Sequence, residues 1–225
     1  MTLAARAHDH AFDAWDEASP QLVLLRHAQA ELHGRFCGHS NPGLSIEGQR
    51  EIPHIIGRLS SMPPSVVWSS DLRRAEQTAA PIAKHFGIAL QTSSSLREMN
   101  FGLWEGLTWE EVEVQFPQDA RAWSKSFPRG RPHGGESFDE FQKRVVTELE
   151  RLLKEPEHRV LIVTHAGFIR TAVAAALGMP DDQILSIGVD YGVATVLQRV
   201  RSHWVVGRLD AGKFTSPLIA IANKD

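Results

Sequence analysis

The sequence has a single cysteine, Cys37, and no long apolar run. One cysteine can form neither an intrachain disulfide nor a cysteine-rich zinc site. A chain without disulfides suits a reducing compartment, and we expect a cytoplasmic protein. Apolar runs such as residues 22–25 and 160–163 are far shorter than the roughly 20 residues that cross a membrane. We therefore expect no membrane partner.

Basic residues are not in excess, and several common catalytic motifs are missing. The 24 lysines and arginines stand against 27 aspartates and glutamates, which gives a net charge of −3. No overall basic field is available to attract nucleic acid. The sequence also lacks the GxxxxGK[ST] loop, the GxGxxG turn, the GxSxG elbow and the HExxH pair. These absences argue against nucleotide triphosphatases, Rossmann dehydrogenases, ordinary α/β-hydrolases and zinc proteases, and we expect no cofactor and no metal.

The composition is typical of one globular domain. Hydrophobic residues make up 42% of the 225 residues and charged residues 23%. We expect a flexible leader at 1–18, a single domain at 19–210 and a surface tail at 211–225. A histidine–aspartate cluster in the leader, at 8–10, is better explained by a solvated segment than by a metal site. Both a monomer and a homodimer remain open.

Strand-like and helix-like segments alternate along the domain. We predict strands at 22–25, 66–69, 88–92, 159–163, 193–199 and 203–209, and helices at 46–59, 72–86, 138–154 and 168–177. This alternation predicts an α/β fold with a mostly parallel sheet flanked by helices on both faces. Residues 98–136, which are rich in tryptophan, glycine and proline, predict a short excursion that combines a helix near 108–116 with loops and caps the site. Its tryptophans are expected mainly in the core.

Three local signals refine the predicted helices. Pro53 predicts a kink or a late start in the first helix. Asp71 is a candidate cap for the second helix, and Gly87 a candidate end. Ser137, followed three residues later by Glu140, predicts a capping box at the start of the third.

Histidines and arginines follow the predicted strands. The first strand runs into Arg26 and His27, and the fourth runs towards His165. Arg73 and Arg74 follow the second strand at the start of a helix, where the helix dipole favours an anion rather than a cation. Because parallel strands end at one edge of a sheet, these side chains are expected to meet there. Arginine forks match phosphate oxygens, so the pattern predicts a phosphate site, although each histidine could instead pair with a nearby backbone group.

Six sequence segments occur in a characteristic order. They are LVLLRHAQ (22–29), GHSNPGLSIEGQ (38–49), SSDLRRAEQTA (69–79), LREMNFGLWEGL (96–107), GGES (134–137) and VTHAGFIR (163–170). Together they resemble the histidine phosphatase superfamily, also called the phosphoglycerate mutase-like family. The resemblance covers roughly residues 20–210. An arginine–histidine pair alone means little, whereas six ordered segments are specific.

The resemblance implies a role for five residues. His27 falls on the nucleophile that takes the phosphoryl group, and Arg26 and Arg74 fall on arginines that bind phosphate. His165 falls on the second histidine, which donates a hydrogen bond to the phosphate, and Glu98 falls on the proton donor to the leaving oxygen. The two arginines would disfavour protonation of the nucleophile. The implied reaction is metal-independent hydrolysis of a small phosphorylated metabolite through a phosphohistidine.

The sequence departs from the family pattern at some positions. Ala28 replaces a hallmark glycine. His33 stands where many relatives have an asparagine that helps to bind phosphate, and we keep it as a candidate contact. Cys37 and Gly38 match a loop that approaches the phosphate. The candidate substrate-binding residues are therefore His33, Cys37, Gly38 and Ala166, the last of which follows the second histidine.

Two alternative functions share this site. A mutase would return the phosphoryl group to a bound acid, but its paired arginines are replaced in WSKSF (123–127), and Phe101 stands where mutases carry a tyrosine. A non-enzymatic phospho-ligand binder would usually lack the nucleophile or the acid, and both are present. Within the family, the segments EMNFGLWEG (98–106), GMPDD (178–182) and VDYGVATVL (189–197) look like the α-ribazole phosphatases of cobalamin assembly. Hydrolysis is therefore the favoured reaction, with the substrate left open.

Overall fold

A computed structural model describes residues 19–128, 130–200 and 203–209. The predicted leader, including its histidine–aspartate cluster, and the predicted tail lie outside the described residues. The strands are β1 (Gln21–Arg26), β2 (Val66–Ser70), β3 (Leu90–Ser93), β4 (Arg159–Thr164), β5 (Ala194–Val200) and β6 (His203–Leu209). The helices are α1 (Ile46–Leu59), α2 (Arg73–Phe86), α3 (Trp109–Gln115), α4 (Pro117–Ser126), α5 (Phe138–Leu152) and α6 (Ala166–Leu177). Within the described ranges, no helix is long and apolar enough to span a membrane.

The six strands form one mixed sheet in the order β3-β2-β4-β1-β5-β6. The first four strands in this order are parallel, whereas β5 runs antiparallel to β1 and β6 antiparallel to β5. The parallel part of the sheet confirms the predicted fold class. It also brings the carboxyl ends of β1, β2 and β4 to one edge.

Helices cover both faces of the sheet because the central strands are apolar on both sides. Leu22 and Leu24 of β1 belong to the core beneath α5 and α6. Val23 and Leu25 belong to the core beneath α1 and α2. Successive strand residues point to opposite faces, so one continuous apolar run packs against two helical layers.

Helix ends follow the sequence signals in part. Ser45 caps α1, where its hydroxyl accepts a hydrogen bond from the Gly48 amide at 3.0 Å. The helix therefore begins before Pro53 and includes it, so the predicted late start is wrong. The capping box of Ser137 is confirmed at α5, as is the end of α2 at Gly87, whose φ is 66°.

The predicted cap of α2 by Asp71 is wrong. The cap position is Leu72, and its side chain makes no capping hydrogen bond. Asp71 instead accepts two hydrogen bonds of 2.6 Å from Arg97. A two-bond carboxylate–guanidinium pair is stronger than a single bond to a neutral amide. The Asn41 side chain accepts from the Arg73 amide at 2.7 Å, so a distant loop satisfies this helix end.

The excursion contains two short helices where one was predicted. α3 confirms the predicted helix near 108–116, and α4 follows it directly. Trp104 is fully buried in a small aromatic core of this region, where its ring lies 5.4 Å from those of Phe36 and Trp123. This separate core gives the excursion its own support above the carboxyl edge of the sheet.

Candidate active site

A cavity of about 190 Å³ lies at the carboxyl edge of the parallel strands. Four predicted catalytic side chains line it: Arg26, His27, Arg74 and Glu98. Arg26 ends β1 and His27 follows it, while Arg74 lies in the first turn of α2. Strand exits and a helix start therefore bring together residues that are far apart in the sequence. We call this the phosphate cavity.

His27 is held in one orientation at the end of β1. The side chain is almost buried, and its Nδ1 lies 2.7 Å from the carbonyl oxygen of Ala28. A carbonyl can only accept, so Nδ1 carries the hydrogen and Nε2 carries the lone pair. Burial, and then the charges of Arg74 and Arg26, lower the pKa of His27 well below its usual 6.5, against the opposing effect of the carbonyl. His27 is therefore a neutral imidazole with a nucleophilic nitrogen.

His165 lies beside His27, with the two ring centroids 5.1 Å apart. Its Nε2 is 2.9 Å from the Ser70 hydroxyl at the end of β2. Among the described residues, its buried Nδ1 has no hydrogen-bond partner. Burial, followed by the charge of Arg74, lowers the pKa of His165 well below 6.5. When the serine donates to Nε2, Nδ1 is left with a hydrogen to offer to an anion.

Arg74 is 1% exposed and is fixed by the loop at 37–40. Its guanidinium donates to the carbonyl oxygens of Cys37, Gly38 and Ser40 at 2.8–3.0 Å. Each of these carbonyls is a neutral acceptor, so the arginine keeps its positive charge without a carboxylate partner in these bonds. A buried cation of this kind is suited to binding an anion.

Arg26 is positioned by the segment that precedes β5. It donates to the carbonyl oxygen of Val189 at 2.7 Å, and its guanidinium carbon lies 3.6 Å from the centroid of the Tyr191 ring. Tyr191 is the only tyrosine in the sequence. Within the part of the chain that the structure describes, the buried Nε of Arg26 has no partner. Stacking on the ring therefore fixes the guanidinium and leaves a donor for a ligand.

Glu98 is held at the start of α6. Its carboxylate accepts from the Met99 amide at 3.0 Å and from the Gly167 amide at 2.8 Å. A Cβ on Gly167 would lie 2.3 Å from a carboxylate oxygen, so this approach needs glycine. These two amide hydrogen bonds fix Glu98 at the wall of the cavity.

The loop that holds Arg74 depends on Glu105, which sequence reasoning missed. The Glu105 carboxylate accepts from the amides of Gly38, His39, Ser40 and Phe101 and from the Ser40 hydroxyl, at 2.6–3.1 Å. Burial raises the pKa of Glu105, but these hydrogen bonds outweigh it and the net pKa is lowered. Glu105 stays ionised and organises the loop.

The candidate substrate-binding residues are distributed differently from the prediction. Cys37 and Ala166 line the phosphate cavity. Gly38 is absent from the described lining of this cavity. A Cβ at this position would lie 2.0 Å from the Met99 carbonyl oxygen, so glycine permits the close packing of the loop. His33 is exposed in a turn and is absent from the described lining. Arg73 is also exposed and is absent from the described lining, whose arginines are Arg26, Arg35 and Arg74.

Sequence reasoning also missed Ser70, Gly167 and Tyr191. Gly167 and Tyr191 lie within VTHAGFIR and VDYGVATVL, and Glu105 within LREMNFGLWEGL. Glu105, Gly167 and Tyr191 are therefore indicated by the segments that contain them, although not by their spacing in the sequence. Ser70 also lies in such a segment, SSDLRRAEQTA, but its contact with His165, 95 positions away, has no local signal.

Known proteins resemble the chain over most of its length. The family model described as histidine phosphatase superfamily (branch 1) matches residues 22–211. Phosphoserine phosphatase 1 of Hydrogenobacter thermophilus is 30% identical over 193 residues, which cover 84% of this chain and 92% of that protein. The α-ribazole phosphatase of Shigella flexneri has a similar structure, with a TM-score of 0.79, 25% identity and coverage of 85% of this chain and 96% of that one. A mycobacterial glucosyl-3-phosphoglycerate phosphatase in complex with inorganic phosphate has a TM-score of 0.74 and 28% identity, and covers 86% and 98% of the two chains.

Proposed function

Because the chain belongs to the histidine phosphatase superfamily and is a phosphatase, we propose that His27 is its nucleophile. The observation that carries this proposal is the Nδ1 contact to the Ala28 carbonyl, which leaves the Nε2 lone pair on a neutral imidazole. The same cavity contains Arg26, Arg74 and Glu98. A small phosphorylated metabolite is the substrate.

In the first step, Nε2 of His27 attacks phosphorus and the bond to the leaving oxygen breaks. Glu98 in its protonated form gives its proton to that oxygen, and the alcohol departs. Arg26, Arg74 and the Nδ1–H of His165 stabilise the charge on the other phosphoryl oxygens. The product of this step is a phosphohistidine.

In the second step, water attacks the phosphorus of the phosphohistidine. The Glu98 carboxylate accepts a proton from this water, and the bond between phosphorus and Nε2 breaks. Inorganic phosphate and the free imidazole are formed, and Glu98 is protonated again. This sequence needs no metal ion.

For the substrate, we propose α-ribazole 5′-phosphate, which would place the protein in cobalamin biosynthesis in the cytoplasm. The similarity to the Shigella enzyme and the segments at 98–106, 178–182 and 189–197 support this choice. Other relatives are named for phosphoserine and for glucosyl-3-phosphoglycerate, so these esters are the competing substrates.

Phosphate release with EDTA present tests the reaction and the substrate. We expect His27→Ala to lower kcat/KM by at least about 10³-fold, and the exposed His85→Ala to leave it unchanged. A preference of about a hundredfold for α-ribazole 5′-phosphate over p-nitrophenyl phosphate and 3-phosphoglycerate, about 2.7 kcal/mol, would support the named substrate.

Three results would contradict the proposal. If His27→Ala kept activity near the wild-type rate, His27 would not be the nucleophile. If EDTA abolished activity, the reaction would depend on a metal ion. Transfer between positions of phosphoglycerate that exceeds phosphate release would show a mutase.

A further inference from the structure

A second cavity of about 310 Å³ adjoins the phosphate cavity. It lies between the excursion, α5, α6 and the 3₁₀ turn at Asp181–Ser186. Phe36, Glu98 and Phe101 line both cavities. A molecule whose phosphate lies beside His27 can therefore extend past Glu98 into the second cavity, which we call the apolar groove.

The lining of this groove is mostly aromatic and aliphatic. Trp123 and Phe127 come from the excursion, Phe138 and Phe141 from α5, and Leu185 from the 3₁₀ turn. Leu185 is 61% exposed, so the groove opens to solvent beside an apolar rim. Removing such surface from water favours a flat, apolar ligand.

One polar group in the groove lacks a partner. Thr171 of α6 lines the groove and is 1% exposed, and its hydroxyl has no hydrogen-bond partner within the described ranges. A buried hydroxyl without a partner is costly. Of the other polar wall residues, Glu98 accepts from the amides of Met99 and Gly167, and Arg170 is held by a 2.9 Å hydrogen bond from its Nε to the Ile187 carbonyl. The Thr171 hydroxyl is therefore available to a ligand.

We propose that the groove binds the leaving group of the substrate, and that this group is a flat, largely apolar ring system with an atom that hydrogen-bonds to Thr171. The inference rests on the proposed function, since it needs the phosphate beside His27. Glu98 lies in the wall common to both cavities, where a proton donor to the bridging oxygen is required.

Three phosphate esters of primary alcohols test the groove: 2-naphthylmethyl phosphate, sn-glycerol 3-phosphate and O-phosphoserine. Their leaving groups are all primary alkoxides, so differences in kcat/KM report binding of the alcohol rather than its basicity. Burying a ring of this size is expected to give a preference of about 30-fold for the naphthylmethyl ester. Leu185→Ser should reduce this preference about fivefold. The matched control is Leu177→Ser, which changes a leucine of similar exposure outside the described groove lining and should leave the preference unchanged.

Thr171→Val tests the hydrogen bond, because valine keeps the shape of threonine and removes the hydroxyl. The substrates are 2-naphthylmethyl phosphate and the isomeric quinolinylmethyl phosphates, which add one ring nitrogen. The variant should lower kcat/KM about fivefold for at least one quinoline isomer and leave the naphthyl ester unchanged. An equal effect on all of these esters would overturn the role of Thr171.

The results separate this inference from the proposed function. Equal kcat/KM for the three alcohol esters, with activity still dependent on His27, would overturn the groove and leave the phosphatase mechanism standing. Release that does not depend on His27 would overturn the mechanism itself.

Discussion

The phosphate cavity and the apolar groove share a wall but are built in different ways. The phosphate cavity is made of charged and titratable groups fixed by backbone partners, as with His27 on the Ala28 carbonyl and Glu98 on the start of α6. The groove is made of ring and aliphatic side chains such as Phe127, Phe141 and Leu185 from three separate elements.

Under the proposed function, the phosphate cavity carries out the reaction and the groove selects the alcohol. Hydrogen bonds and charge pairs depend strongly on direction, so the phosphate cavity needs strand ends and a helix start at fixed positions. Apolar contacts are not directional, so different side chains can fill a groove of the same kind. One fold can then keep a single reaction while its alcohol substrates differ.

Among the variants that compare the two regions, Glu98→Gln should produce the largest effect, because it changes the wall that both cavities share. The amide keeps an oxygen for the Gly167 amide but cannot give a proton. We expect kcat/KM to fall about 10²–10³-fold for alkyl esters. For p-nitrophenyl phosphate, whose leaving group needs no proton, we expect a loss of about tenfold or less. Equal losses for the alkyl esters and for p-nitrophenyl phosphate would mean that Glu98 is not the proton donor. The control is Glu113→Gln, at an exposed position in α3, which should leave kcat/KM unchanged.

Glu105→Gln should affect the phosphate cavity and spare the groove. An amide offers one acceptor oxygen, so several of the five hydrogen bonds to Glu105 are lost. Urea unfolding should show a loss of about 2 kcal/mol. Arg74 would lose its ordered loop, and kcat/KM should fall about tenfold for every ester. A change in the ratio between ring-bearing and glycerol esters would contradict the separation of the two regions.

The pH dependence of stability isolates the charge of the phosphate cavity. Burial, followed by the charge of Arg74, lowers the pKa of both His27 and His165 below 6.5. The folded protein keeps them neutral, while the unfolded chain takes up protons below about pH 6.5. The free energy of unfolding should therefore fall as pH falls from 6.5 towards the folded pKa values, by up to about 1.4 kcal/mol per pH unit for each histidine.

Urea unfolding between pH 5 and 7.5 measures this dependence. His27→Asn should remove the contribution of one histidine from the slope, because asparagine does not titrate. The exposed His85→Asn should leave the slope as in the wild type. An unchanged slope in His27→Asn would show that the imidazole takes up a proton in the folded protein near its usual pKa.

Sequence reasoning succeeded for residues that carry a local pattern or belong to a motif. The apolar run at 22–25 predicted β1, and the start of α5 followed from Ser137 and Glu140. Arg26, His27 and Arg74 were placed together from strand exits. Asp71 failed as a cap because its true partner, Arg97, is 26 positions away. His33 lies exposed in its turn and is absent from the described lining of the cavity, and its contact with phosphate stays a prediction.

The amino-acid sequence alone predicted the order of strands and helices, the family and the candidate catalytic residues, because periodicity, caps and ordered motifs are local properties of the chain. Only the tertiary structure decided that Glu105 supports the loop around Arg74 and that the Thr171 hydroxyl, in an apolar groove, has no hydrogen-bond partner among the described residues. Both facts depend on contacts between distant segments, such as those of residues 38–40 with Glu105 and those that bring Phe127 and Leu185 into the lining of one groove. Such contacts exist only once the excursion has packed against the sheet and its helices.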